Sequence, residues 1–220
     1  MSRPRFPARA VAVVADHGNS KYAARRPVHR LPLARRAVFT LGTVTVQPVR
    51  LFGDPILRAT AAPVVDFDAE LRKLVADLED TMHEQGGAGL AAPQLGVGLR
   101  VFTYDVGDFA GHLVNPTFDV VGDEEQFGPE GCLSIPELRA DCLRAMHVIA
   151  RGFDMHGEPI TIEGHELLAR CIQHEVDHLD GVLFVDRLDP AARREAMRFI
   201  REAEWFGAAP VLKPNPLGLH

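Results

Sequence analysis

Apolar residues show no sustained period before about position 42, where Pro4, Pro7, Pro27 and Pro32 lie scattered among arginines. Neither helix nor strand is assigned there, and the folded part is expected to begin near Val44. The first regular signal follows: Leu71, Leu74, Val75, Leu78 and Met82 fall three and four apart within residues 68–85. That spacing predicts an amphipathic helix with one face in a core, ended by Gly86 and Gly87. The run Gly89-Leu90-Ala91-Ala92-Pro93-Gln94 is too small and too proline-bound for a helix and reads as a loop. Residues 99–105 and 112–121 are rich in strand-forming types. Residues 145–154 and 159–163 flank His156-Gly157, a turn pair, which predicts a hairpin and a largely antiparallel sheet.

A second helix is predicted over residues 165–179, with Leu167, Leu168, Cys171, Ile172 and Leu179 as apolar positions and a stop before Gly181. Asp189-Pro190 reads as an N-cap with proline in the first turn, opening a third helix to about residue 205 in which Met197 and Ile200 face the body. Pro210, Pro214 and Pro216 leave a loose end. The whole predicts an α+β fold in which antiparallel sheets pack around a central helix, with a further C-terminal helix. Residues 1–43 form an N-terminal extension expected to be disordered, 44–205 the folded domain and 206–220 a loose tail.

Composition changes this picture little: 220 residues, 46% apolar and 25% charged, match one ordinary globular body. No run approaches the roughly eighteen apolar residues of a spanning helix, so no membrane partner is expected. Cys132, Cys142 and Cys171 are too few for a disulfide scaffold and point to reduced thiols in the cytoplasm. Charge is divided sharply. Residues 1–42 hold eight arginines and Lys21 against Asp16, a net of +8, so the remainder carries −14 of the overall −6. An acidic body argues against direct nucleic acid binding by the folded part. The basic arm reads as a solvated tail, with organellar import the less favoured alternative.

The strongest chemical signal is His174-Glu175-Val176-Asp177-His178, an HExxH pentad inside the second predicted helix. Histidines four apart stand on one helix face and both can reach one cation. Glu175, beside them, can accept a proton from water whose pKa such a cation lowers to about 7. The plain alternative is a charged helix face, which suits an otherwise apolar helix poorly. A third ligand is needed. Downstream, Glu195, Glu202, Glu204 and His220 offer nothing distinctive. Upstream, Cys132 in Glu130-Gly131-Cys132-Leu133-Ser134 is favoured, although a free cysteine is often just a small buried thiol. Asp177 with Arg144 is a candidate pair for orienting the ligands, or a plain surface ion pair.

Three strings together, Gly87-Ala88-Gly89-Leu90-Ala91-Ala92-Pro93-Gln94, Glu130-Gly131-Cys132-Leu133-Ser134 and Gln173-His174-Glu175-Val176-Asp177-His178, resemble the peptide deformylase family, in order and spacing. The resemblance runs from about residue 46 to 188. It implies a metal-dependent hydrolase that removes the formyl group from the initiator methionine of nascent polypeptides. Cys132, His174 and His178 would then hold one divalent ion, natively Fe(II), with zinc, nickel or cobalt accepted. Glu175 would be the general acid/base, and Gln94 with the backbone N–H of Leu133 would stabilise the oxyanion. Ala88, Gly89, Leu90, Glu130 and Gly131 would line the extended peptide, as in strand addition. Leu167 and Cys171 would border the methionine pocket and Arg139 the peptide's path. The ribosome is a further expected partner. Ala88, Gly128 and Arg170 depart from the pattern in ways that widen or polarise that pocket. Two rivals are an ordinary HExxH metallopeptidase and a ribosome- or RNA-binding protein that keeps the fold alone.

Overall fold

The carboxylate of Asp68 accepts hydrogen bonds from the backbone N–H groups of Glu70 and Leu71, two of the donors that every helix start leaves unpaired. In the computed structural model, which describes residues 46–207, the helix it opens, α1, spans Ala69–Gln85. It buries Leu71, Leu74, Val75, Leu78 and Met82, the residues of the predicted stripe. Gly86 closes it in the left-handed conformation, at a φ of 65°. The expectations for residues 1–43 and for the tail beyond 207 fall outside the described residues.

Seven strands follow. They are β1 (Gly89–Ala91), β2 (Val101–Val106), β3 (Phe109–Val120), β4 (Glu125–Cys132), β5 (Ile135–Ala145), β6 (His147–Phe153) and β7 (Pro159–His165). Five of them form an antiparallel sheet in the order β1-β2-β3-β6-β7, while β4 and β5 pair only with each other. The predicted β6–β7 hairpin is present, with Asp154 accepting the N–H groups of His156 and Glu158 across its turn. Helix α2 spans Glu166–Leu179, and every residue from Leu168 to Leu179 is buried. It packs against β1, β2, β5 and β7. Its apolar side fills a core with Phe102, Leu113, Val148 and Ala150 from the sheet. Helix α3 covers Pro190–Glu202 and buries Ala196 and Ile200 against Leu57, Ile135 and Phe184.

Three sequence expectations need correction. The stretch read as a loop is strand β1 followed by a 3-10 turn over Ala92–Leu95; three residues suffice for a strand because β2 offers an edge, with Gly89 opposite Tyr104. The β4–β5 ribbon has no counterpart among the predicted hairpins. Gly128, Pro129 and Gly131 hide the alternation of β4, which is held in register by its partner from Glu125 opposite Ala145 to Gly131 opposite Arg139. Helix α3 ends at Glu202 instead of near 205: Ala203 is extended, and the chain turns so that Trp205 packs on the core beneath.

Candidate metal centre

Two elements distant in sequence bring the chemistry together. Helix α2 presents His174 and His178 one turn apart, their rings 4.9 Å apart and edge-on. The end of β4 presents Cys132, at a register shift in the ribbon, with its Sγ 3.2 Å from His178 Nε2. The donor atoms of Cys132, His174 and His178 lie within 4.8 Å of one another. A thiolate and two imidazoles around a tetrahedral ion would stand roughly 3.5 Å apart, so the cluster has the dimensions and the donor chemistry for one transition-metal cation.

The surroundings prepare the donors. His174 Nδ1 lies 2.6 Å from Glu130 Oε1, which leaves Nε2 as the free donor. Burial opposes a charge on Glu130, yet hydrogen bonds from His174 and Arg144 outweigh it and hold the carboxylate well below its usual pKa. Arg144 grips Glu130 in a two-pronged bond, at 3.0 and 2.6 Å, and reaches Asp177 at 2.7 Å. Asp177 is also held by Arg187, at 3.1 and 2.6 Å. The Asp177–Arg144 pair is therefore buried, not a surface contact. For His178, burial and the neighbouring His174 push the pKa well down, leaving the neutral imidazole that a ligand requires. Burial works the same way on His174, but Cys132 and Glu130 overcome it and favour positive charge at the ring. A cation on Nε2 satisfies that demand as a proton would.

Glu175 stands beside the cluster, fully enclosed, with Oε2 lacking any hydrogen-bond partner. Burial, reinforced by the charge of Glu130 and opposed by His174 and Arg144, pushes its pKa up to about 7, a value suited to passing protons near neutrality. Gly89 of β1 comes so near that a Cβ there would lie 2.4 Å from Glu175 Oε1. Gln94 is locked in place: its Oε1 accepts from Ala91 N at 2.9 Å, and its Nε2 donates to Ser134 Oγ at 3.1 Å and points at Cys132 Sγ, 3.6 Å away. Cys171 Sγ donates to the carbonyl of Ala88 at 3.3 Å, and burial raises its thiol pKa well above the usual range.

Other residues singled out from the sequence fall less centrally. Leu133 lies at the β4–β5 turn, its side chain against Gly87, and Leu90 is fully buried. Arg139 is exposed, opposite Gly131. Leu167 is 57% exposed. Glu130, expected along the peptide, instead turns its carboxylate onto His174 and the two arginines. Arg170 donates to Glu130 Oε2 at 3.0 Å and to the Cys142 carbonyl at 2.9 Å, so its charge is spent inside the protein beside Gly128. Sequence reading missed Arg187 and the hub role of Glu130; no helical or strand spacing links partners 44 residues apart.

Comparison with known proteins agrees. The family model described as Polypeptide deformylase matches residues 46–194. The chain is 58% identical over 173 residues to the peptide deformylase of Acidothermus cellulolyticus, covering 79% of this chain and 96% of that one. It is 52% identical over 167 residues to peptide deformylase 1 of Corynebacterium efficiens, covering 74% and 99%. Among solved structures, peptide deformylase from Thermus thermophilus superposes with a TM-score of 0.67 at 38% identity, over 71% of this chain and 93% of that one. The Ehrlichia chaffeensis enzyme in complex with actinonin gives 0.69 at 31% identity, over 73% and 98%. The chain belongs to the polypeptide deformylase family.

Proposed function

We propose that this protein removes the N-formyl group from the initiator methionine of nascent polypeptides, using one divalent cation held by Cys132, His174 and His178. The observation that carries the reading is the convergence of those three donors beside an enclosed Glu175. We read α2, with its HExxH pentad, as the central scaffold of that site. When bound, the cation supplies a Lewis acid that acidifies water and polarises the formyl carbonyl. Glu175 accepts the proton of the attacking water, whose oxygen bonds to the formyl carbon. It then delivers that proton to the amine nitrogen as the C–N bond breaks, releasing formate and the free methionyl amine. Gln94 Nε2 and the Leu133 N–H donate to the developing oxyanion, and the fixed amide of Gln94 supports that role. Ala88, Gly89 and Leu90, with Gly131 and Arg139, flank the extended peptide; Cys171 and Leu167 border the methionine side chain.

A mixed thiolate and imidazole set suits Fe(II), zinc, nickel or cobalt, and we take Fe(II) as the native ion. The three free thiols suit the reducing cytoplasm. No helix among the described residues is long and apolar enough to cross a membrane. A third ligand from upstream disfavours an ordinary metallopeptidase. Formate release from formyl-Met-Ala-Ser by anaerobically purified protein tests the reading, with acetyl-Met-Ala-Ser as control. Glu175→Gln should keep its metal and lose about 10²- to 10⁴-fold in kcat; comparable turnover of the acetylated peptide, or near-normal activity of the variant, would sink the assignment.

Docking to the ribosome is supported by the face of α3, where Arg193, Arg194, Arg198 and Arg201 line one groove with Leu188 and Met197. Charge reversal at Arg194 and Arg198 should abolish salt-sensitive co-sedimentation with ribosomes; unchanged sedimentation would dismiss this face.

A further inference from the structure

A second group of side chains of metal-ligating type, their donor atoms within 4.8 Å of one another, lies on the far side of the five-stranded sheet. His147 of β6 stands directly opposite His165 of β7, and Glu163 lies two positions before His165 on the same face. The alternate residues, Val148, Ala150 and Gly164, are buried, so the period of two sends all three polar side chains outward. The imidazoles stack with centroids 3.9 Å apart. Both Nε2 atoms approach one carboxylate oxygen, Glu163 Oε1, at 3.0 Å from His147 and 3.6 Å from His165.

We propose that His147, Glu163 and His165 form a second divalent-cation site, of the zinc class, at the β6–β7 edge. Nitrogen and oxygen donors around tetrahedral zinc are about 3.3 Å apart, and the two measured separations bracket that length. His147 Nε2 is buried and makes no hydrogen bond, although Glu163 Oε1 is within reach. The rings stack at an interplanar angle of 22°, so the exposed His165 ring turns about its side-chain bonds to bring both Nε2 lone pairs onto one ion. His165 holds the N-cap position of α2 without using its side chain to cap the helix, so its imidazole is free for another partner. Two imidazoles and one carboxylate leave a fourth position for water and favour zinc, nickel, cobalt or copper over calcium or magnesium. His174 lies nine positions beyond His165, roughly 14 Å along the axis, so this site is distinct from the cluster around Cys132. Its ion would pin β6 to β7 at the point where β7 passes into α2.

The test uses the full chain with its Cys132 site already filled by one equivalent of zinc. Calorimetric titration with zinc chloride should reveal a second equivalent at micromolar free metal and raise the melting temperature of the loaded protein. Loaded instead with cobalt, the first equivalent should bring a thiolate charge-transfer band and the second should not. Glu163 and His165 are exposed, so Glu163→Gln and His165→Asn should fold normally, keep the first equivalent and formate release, and lose the second equivalent. The absence of a second equivalent in the unaltered chain, or one that survives both substitutions, overturns the proposal.

Discussion

A methyl group on Gly89 would meet Glu175 Oε1 at 2.4 Å and Cys171 Sγ at 2.9 Å, closer than unbonded atoms approach. Both neighbours are enclosed in packed protein, so the carboxylate has little room to retreat. Gly89→Ala should therefore fold and bind metal but lose about a hundredfold in kcat/KM for formyl-Met-Ala-Ser, the cost of a misplacement near 1 Å. Gly87 is the comparison: its added methyl would meet the tip of the flexible Leu133 side chain at 2.9 Å, and Gly87→Ala should be milder. Equal effects at the two positions would show that Glu175 is not the group being displaced. At this scale the sequence was legible where spacing is local, as in His174 and His178 four apart. It was mute where one atom of Gly89 must avoid a carboxylate 86 positions along, because only folding sets that distance.

Helix α2 carries His174, Glu175, Asp177 and His178 in buried surroundings, and the charge of Asp177 is met by Arg144 from β5 and Arg187 beyond the helix. Removing one member of a buried ionic network strands the others away from water. Asp177→Asn should thus cost about 3 kcal/mol in urea unfolding of the metal-loaded protein. It should also weaken metal binding by about 10- to 100-fold, since Arg144 passes its position on to Glu130 and so to His174. A loss below about 0.5 kcal/mol would place the pair with ordinary surface bridges. Elements with a clear period, namely α1, α2 and the β6–β7 hairpin, could be read from the chain. The β4–β5 ribbon could not, because glycine and proline carry no alternation and the strand exists only through its partner.

Long-range contacts close the molecule. Arg58, at the end of a 3-10 turn over Pro55–Arg58, pairs with Asp186 in another over Phe184–Asp186, joining segments 128 positions apart. Burial would raise the Asp186 pKa, but hydrogen bonds from Arg58 and the Leu183 N–H outweigh it and hold it below the usual aspartate value. A carboxylate with a depressed pKa stabilises fully above its unfolded value, near 3.9, and ceases to as pH falls through the lower folded value. The difference in urea midpoint between the parent and Asp186→Asn should therefore be constant above about pH 5 and close in stronger acid. A difference that persists there would assign the effect to packing.

Amphipathic spacing, the turn pair at His156-Gly157 and the HExxH pentad depend on neighbours within a few residues, so the order of amino acids alone determined α1, α2, the hairpin and the histidine pair. The meeting of Cys132 with those histidines, the clasp of Glu130 by Arg144 and Arg170, and the face shared by His147, Glu163 and His165 were decided only by the tertiary structure. Each joins positions on different elements, and only packing and strand register bring such positions within bonding distance.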